Sequence, residues 1–505
     1  MSNKFYITTA IDYVNGNPHI GHAFEKIFAD VLARYHRDTG DNVFFLTGTD
    51  EHGVKNVKSA EAAGIPVREF TKKNSDKFKE LAKTLNISND FFIRTTDKEI
   101  HWPAVEKMWR VLDKAGDIYK KKYQGLYCVG HEAFVTRKDL TDGKCALHKK
   151  APDMVEEENY FFRLSKYTPK IKEAVTSKKL RIVPDSSLNE LMNLLEDGLE
   201  DVSFSRPSKD LKWGVPVPGD PSQTIYVWCD ALVNYISAIG YGSEDSGSKT
   251  SNFNKFWPAD LQVIGKDILR FHAAIWPGML MSAGLALPKV LFAHGFISVG
   301  GEKISKSVGN VIDPFELIEK YARLGPSELI ADAMRYYLLR EIPSTRDGDF
   351  TIERFEERYN ADLASGLGNF VSRVVTVGAK CISGEFDGAE SEDVKRQIKK
   401  VWAEYREFVE SFRFDEALQA VWGLISYGDK FVDSEKIWEL AKSDPKRFQS
   451  DIFELCVILA NVAKMLGPFL PRTSEKIFDQ LGAKPSGDNW KFQLKKGEAM
   501  FPRIK

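Results

Sequence analysis

Residues 4–11 alternate apolar and polar positions and are rich in β-branched side chains, which predicts a strand. Asn15-Gly16-Asn17-Pro18 breaks it. A helix is predicted over 20–39, because Phe24, Ile27, Phe28, Val31 and Leu32 recur at helical spacing and form one buried stripe. Residues 43–46 are a second apolar run of strand length, ending at Thr47-Gly48-Thr49-Asp50. Strand, helix and strand in this order predict a right-handed parallel unit. Ligands in such sheets bind beyond the carboxyl ends of the strands. Residues 224–228 and 261–264 predict further strands, each leading into a helix, one from Asp230 and one over 267–283.

Between about 117 and 212 the pattern changes to short strands, turns and a Cys/His cluster, which predicts an inserted domain. The polar, Gly/Ser-rich segment 240–251 reads as a surface loop. From about 355 onward nearly every segment is helical in period, as in 393–412, 414–432 and 448–466, and predicts a bundle. The fold class expected is α/β: a Rossmann-like parallel-sheet domain with a small connective insertion and a C-terminal α-helical bundle. The boundaries expected are 1–116 and 213–312 for the two halves of the sheet domain and 117–212 for the insertion. A connector over 313–355 and the bundle over 356–505 complete the chain.

Composition narrows the class of protein. A chain of 505 residues exceeds what one core serves, so about two to four domains are expected. No run of eighteen apolar residues exists, so a membrane span is not expected. Residues 1–9 have no basic region before an apolar stretch, so no secretory signal is expected either. Five cysteines, odd in number and sparse, point to a reducing cytoplasmic setting. Cys229, Cys381 and Cys456 sit among apolar residues and are expected to be buried thiols. With a net charge of -1, a nucleic-acid partner must be met by local basic patches.

Two motifs carry the chemistry. In His19-Ile20-Gly21-His22, Gly21 lets a flat base or a phosphate approach the backbone. The helix that follows offers unpaired N–H groups to an anion. His19 and His22 can donate hydrogen bonds to phosphate oxygens as charge develops. Far along the chain, Lys303-Ile304-Ser305-Lys306-Ser307 lies beyond Ser298-Val299-Gly300-Gly301, in a stretch predicted to be mobile. Lysines there can reach a triphosphate and neutralise departing pyrophosphate. Alone, the first motif also fits a turn with two surface histidines, and the second a solvated loop. Their order and separation in one chain favour binding of a nucleoside triphosphate.

Cys128-x-x-His131 and Cys145-x-x-His148 form two knuckles whose four ligands suit a structural, tetrahedral Zn²⁺; two unrelated Cys–His pairs are the alternative. Trp228, Ala231, Leu232 and Tyr235 share one helical face at i, i+3, i+4 and i+7, and His272 and Trp276 share another. Ala10, Ile11 and Tyr13 follow the first strand toward the same cleft. Core packing is the plainer explanation of such an aromatic stripe.

The two motifs together resemble the His-Ile-Gly-His and Lys-Met-Ser-Lys-Ser signatures of class I aminoacyl-tRNA synthetases, over essentially the whole chain. In detail the chain is similar to the methionyl branch. Ile304 stands where the family usually has Met, Asp12 where it has Tyr or Pro, and His131 where it often has Cys. The resemblance implies activation of methionine by ATP with Mg²⁺, then transfer to tRNA(Met). It makes Ala10, Ile11, Tyr13, Trp228, Leu232, Tyr235 and His272 the lining of the methionine pocket, with Ala231 on the same helical face. Aromatic walls suit a polarizable thioether. Asp50 then holds the substrate ammonium, and Asp267 of Gly265-Lys266-Asp267 meets the ATP ribose, with helix capping as the competing role for both aspartates. Asn369 and Arg373, at i and i+4, and Trp438 correspond to the anticodon contacts. In 313–355 the arginines meet the tRNA stem or are simply helix-surface charge. A monomer without DNA or membrane partners is expected. The alternatives left open are a sibling synthetase for another amino acid, or a catalytically silent RNA- or protein-binding relative.

Overall fold

The computed structural model describes residues 3–128, 133–135, 140–145, 149–243, 252–303, 311–486 and 489–505. They form two compact units. The first comprises 1–18, 36–81 and 88–294, and the second 19–35, 82–87 and 295–505.

The first unit is built on a seven-stranded sheet: β1 (Lys4–Thr9), β2 (Asp12–Tyr13), β3 (Asn42–Asp50), β4 (Phe91–Arg94), β5 (Arg181–Val183), β6 (Leu261–Gly265) and β7 (Val290–His294). The order runs β5-β7-β6-β1-β3, with β2 and β4 both on β3, and every pairing is parallel. Parallel sheets are covered on both faces, so their strands read as apolar runs. All five residues of β6 are buried, as are the last four of β1. The strand predicted over 4–11 stops at Thr9 and resumes as β2, which runs beside Thr49 and Asp50. That interruption brings Tyr13 into register with Asp50.

Past the chain's first helix, α1 (Ile20–Asp38), the helices supplied by residues after 226 depart from the simple pattern. The predicted strand 224–228 is the end of a strand Asp220–Ile225, and the helix begins earlier, as α2 (Val227–Leu232), followed by α3 (Asn234–Ser237). The helix predicted over 267–283 is a 3₁₀ turn Lys266–Ile268, a π turn Phe271–Ile275 and an α-helix Trp276–Ser282. One inserted residue in a helical turn re-aims side chains, and such turns recur at functional sites. The inserted stretch contributes an antiparallel sheet in the order Val202–Ser203, Asp153–Phe162, Ile118–Cys128, Ala133–Val135, besides β5 of the central sheet.

The second unit holds the body of the helix Ile20–Asp38, the predicted 20–39 element. Its burial is wider than a stripe: Asp30 is buried along with the five predicted apolar residues. Ser298 and Val299 pair with Lys303 and Glu302 as a tight hairpin turned by Gly300 and Gly301, both at positive φ, the geometry such a two-residue turn demands. Glu302 and Lys303, the first residues of the stretch predicted as mobile, form the second strand of this hairpin. The helices Asn369–Cys381, Glu392–Glu410, Phe414–Ser434, Ile437–Ser443, Pro445–Leu466 and Pro471–Leu481 fall in the predicted helical region, and a further helix, Ser327–Glu341, lies in the predicted connector. Arg335, one of the connector arginines read as meeting the tRNA stem or as helix-surface charge, is fully buried, so neither reading fits it. Cys229 and Cys456 are buried as expected, whereas Cys381 is exposed, at the end of its helix. Among the described residues no helix is long and apolar enough to cross a membrane.

Candidate functional site

In the first unit the strands end together at Thr9, Asp50, Gly265 and His294, the edge where ligands meet a parallel sheet. Asp50 closes β3 and is buried. It does not cap the next helix, Val54–Ala63, whose N-cap is Gly53. Instead Asp50 Oδ1 accepts from the His52 backbone N–H at 3.3 Å. Ala10 follows β1 and is buried, with its N–H donating to the Val263 carbonyl at 2.9 Å, while Ile11 and Tyr13 are half-buried.

Trp228 on α2 lies flat on Phe271, ring centroids 3.8 Å apart and 4° between planes, and meets His272 edge-on at 6.1 Å. The Tyr235 hydroxyl donates to His272 Nε2 at 2.7 Å, while His272 Nδ1–H donates to the Ile268 carbonyl at 3.0 Å. Both ring nitrogens are thus engaged with the proton on Nδ1, the neutral tautomer. Burial pushes this imidazole down to about 4, although the Ile268 bond favours the charged form. Trp228, Tyr235 and His272 are therefore brought together, with Ala231 and Leu232 buried on α2. Phe271 was missed by sequence reasoning. Its only signal was adjacency to His272.

Asp267 is exposed, in the 3₁₀ turn after β6, and Lys266 is half-buried. Gly265, not Asp267, occupies the cap of that turn. A side chain at 265 would strike the Asp267 carboxylate, since a Cβ would lie 2.7 Å from its Oδ1.

Also unforeseen was a buried polar cluster. Asp230 accepts from His52 Nδ1–H at 2.5 Å and from His101 Nε2–H at 2.8 Å. Next to it Glu51 is clasped by Arg94, Nε to Oε1 at 2.5 Å and Nη2 to Oε2 at 2.9 Å. The string Asp50-Glu51-His52-Gly53 carried the only sequence signal, and there only Asp50 was given a role, as the ammonium partner or a helix cap.

In the second unit the His19-Ile20-Gly21-His22 turn opens its helix. His22 Nδ1 accepts from the His19 backbone N–H at 3.0 Å, and His19 Nδ1 accepts from the Gly21 N–H at 3.1 Å. The rings lie 3.8 Å apart. Because each Nδ1 accepts, each neutral ring carries its proton on Nε2 and acts there as a donor. A Cβ at Gly21 would lie 3.0 Å from the His19 ring, so only glycine leaves this arrangement undisturbed. Lys303 ends the hairpin described above. Ile304, Ser305, Lys306 and Ser307 lie outside the described residues.

Asn369 is exposed and Arg373 half-buried, one turn apart on the helix Asn369–Cys381. Arg373 pairs with Asp429 at 3.1 Å and with Asp433. The helix bearing Trp438 packs against the helix Asn369–Cys381, and Trp438 is 49% exposed. Cys128 and Cys145 are buried in one small cluster with Val135. His131 and His148 lie outside the described residues.

A parallel sheet with polar groups at its carboxyl edge, and a helix opening on two Nε2–H donors, define a nucleotide-binding α/β protein with a helical second unit. The family described as tRNA synthetases class I (M) matches residues 5–141 and 133–375, and the anticodon-binding domain of tRNA ligase matches 393–498. The methionine–tRNA ligase of Thermotoga maritima is 43% identical over 502 residues, covering 96% of this chain and 77% of that protein. That of Caldanaerobacter subterraneus is 42% identical over 521 residues, covering 100% and 79%. A Mycobacterium tuberculosis methionyl-tRNA synthetase solved with methionyl-adenylate superposes with a TM-score of 0.92 at 38% identity, covering 99% of this chain and 100% of that one. The chain belongs to the class I tRNA synthetases of the methionyl type, which are aminoacyl-tRNA ligases.

Proposed function

We propose how the residues above divide the work of methionine–tRNA ligation. ATP activates L-methionine to methionyl-adenylate with release of pyrophosphate, and the methionyl group passes to the 3′ end of tRNA(Met). Asp50 pairs with the methionine ammonium, a role supported by its burial at the end of β3 beside Tyr13. Trp228, Leu232, Tyr235 and His272, with Ala10, Ile11, Tyr13 and Ala231, surround the thioether. The neutral His272 and the Tyr235 hydroxyl form one polar feature in an otherwise apolar wall. A purely apolar pocket separates near-isosteres by only about 1–3 kcal/mol per methylene, so that feature helps reject leucine.

The observation that carries the activation step is that both Nδ1 atoms accept backbone N–H groups, His22 from His19 and His19 from Gly21, which fixes both rings as Nε2 donors. They stabilise charge on the ATP phosphates, while Lys303 and Lys306 neutralise pyrophosphate as it leaves. Gly21 keeps the turn open; Gly265, Lys266 and Asp267 bind ATP, with Asp267 at the ribose. Mg²⁺ accompanies ATP and screens its phosphates. The carboxylate of methionine attacks the α-phosphorus, so no covalent enzyme intermediate is needed.

Asn369, Arg373 and Trp438 read the anticodon. The domain limits are those drawn from the sequence, with 117–212 as a connective insertion. The shared cluster of Cys128 and Cys145 supports a structural Zn²⁺ that also takes His131 and His148. The protein is proposed to act as a cytoplasmic monomer. ATP–pyrophosphate exchange with a panel of amino acids tests the assignment: methionine drives exchange, and exchange driven by leucine but not methionine refutes it. Replacing Lys306 by Ala is expected to abolish that exchange.

A further inference from the structure

We propose that Asp230 is a positioning residue of the amino-acid site, holding the end of β3 and the α2–α3 pair in one fixed arrangement. The inference rests on the reading of Asp50 as partner of the substrate ammonium. Asp230 is fully buried on α2, two residues after Trp228 and one before Ala231. Its oxygens accept from two rings on two different elements. His52, two residues past β3, donates at 2.5 Å, and His101, which opens the helix His101–Lys114, donates at 2.8 Å. Burial favours the neutral acid, but His52 and His101 outweigh it and hold Asp230 down at about 2, so it is ionised.

The chain of bonds continues in both directions. His52 donates its backbone N–H to Asp50, and the Asn56 amide donates to the carbonyls of both Asp50 and His52, at 3.2 and 2.9 Å. In the other direction the Ser237 hydroxyl on α3 is hydrogen-bonded to His101 Nδ1 at 2.9 Å. One continuous path therefore runs Asp50–His52–Asp230–His101–Ser237, from the proposed ammonium site to the helix that carries Tyr235. The rings of Trp213 and Trp102 abut His52 edge-on at 5.7 and 6.1 Å and hold its plane.

Stability alone does not ask for this cluster. An apolar residue of similar size would fill the volume without the desolvation cost of a buried carboxylate. What the ionised form adds is direction: two fixed lone-pair contacts that orient His52, and through it the backbone beside Asp50.

The test is ATP–pyrophosphate exchange by the intact enzyme carrying Asp230→Asn or His101→Phe. Asparagine keeps the shape but turns an amide donor toward one imidazole. The KM for methionine is expected to rise about tenfold or more in Asp230→Asn, with the KM for ATP within about twofold of the parent. His101→Phe is expected to shift the methionine KM in the same direction by less, and it decides alone if Asp230→Asn does not fold. Unchanged methionine KM in the folded variants, or equal rises for methionine and ATP, overturns the proposal. Asp50→Asn separates the two layers. If it leaves the methionine KM unchanged, the ammonium reading itself fails; if it raises that KM and Asp230→Asn does not, only the positioning role fails.

Discussion

The Arg335 guanidinium lies 2.8 Å from the Asp30 carboxylate, and both side chains are fully buried. Arg335 also donates to three carbonyls: Phe469 at 2.6 Å, Pro468 at 2.9 Å and Leu85 at 3.1 Å. Asp30 takes a second donor from Arg34 Nε at 2.8 Å. One guanidinium thus ties the helix that opens with His19-Ile20-Gly21-His22 to the turn before the last helix of the bundle. Asp332, one turn earlier, accepts from the N–H and hydroxyl of Thr473 and grips the first turn of that last helix.

Removing one partner of such a pair leaves an uncompensated charge in the interior. Asp30→Ala is therefore expected to destabilise the protein by about 3–5 kcal/mol. Urea denaturation followed by far-UV circular dichroism measures it. A loss below about 1 kcal/mol, the worth of an exposed pair, would contradict the burial argument.

His272 supplies a pH signature. The unfolded chain protonates this ring near 6.5, but burial lowers the folded value to about 4. Between those values the unfolded state binds more protons, so stability rises with pH. The contribution is fully present above about pH 6.5 and is lost as pH falls toward 4. Asp332 and Asp451, raised to about 6 mainly by burial, act in the opposite sense over an overlapping range. Only a comparison isolates the histidine. The parent is expected to lose about 2 kcal/mol more than His272→Gln between pH 7 and pH 5. Parallel pH profiles for the two proteins would show that His272 is not held neutral.

Much of this architecture was legible in the chain because its signals are local. The His-Ile-Gly-His turn, the helix that follows and the strands on either side depend on neighbours within a few residues. Tyr13 and Asp50 could be assigned to one sheet edge from strand order, although the break at Ala10 and Ile11 that aligns them could not. The Asp230 cluster stayed hidden because its partners are 129 and 178 residues away in sequence. Arg335 misled for a related reason. Its helix is buried on nearly every side, so helical periodicity could not separate a buried cation from a solvated one. The π turn at 271–275 had no periodic signature either, and with it went the stacking of Trp228 on Phe271.

The two buried cysteines make a metal prediction. Purified protein is expected to carry about one zinc per chain, lost in both Cys128→Ser and Cys145→Ser. Chelation should lower the melting temperature, because the insertion's cluster around these thiols holds few apolar side chains. Elemental analysis near zero in the unmodified protein would remove the zinc assignment.

The RNA contacts proposed for the bundle can be separated from the chemistry by asking which step each substitution slows. Among the described residues Trp438 is the one aromatic exposed to this degree, at 49%, on a helix that packs beside the one carrying Asn369 and Arg373. An indole kept in water has no packing reason to be there, whereas a base stacked on it contributes about 1–3 kcal/mol. Trp438→Ala is therefore expected to lower kcat/KM for tRNA about tenfold to a hundredfold. ATP–pyrophosphate exchange without tRNA should remain at the parent level. Arg373 is held by Asp429 and Asp433, so its planar fork is oriented before RNA arrives. Arg373→Lys keeps the charge but not the fork, and is expected to lose most of what Arg373→Ala loses. If lysine restored full aminoacylation, the residue would be supplying charge alone. If either substitution slowed tRNA-independent exchange equally, its effect would lie in the stability of the bundle and not in recognition.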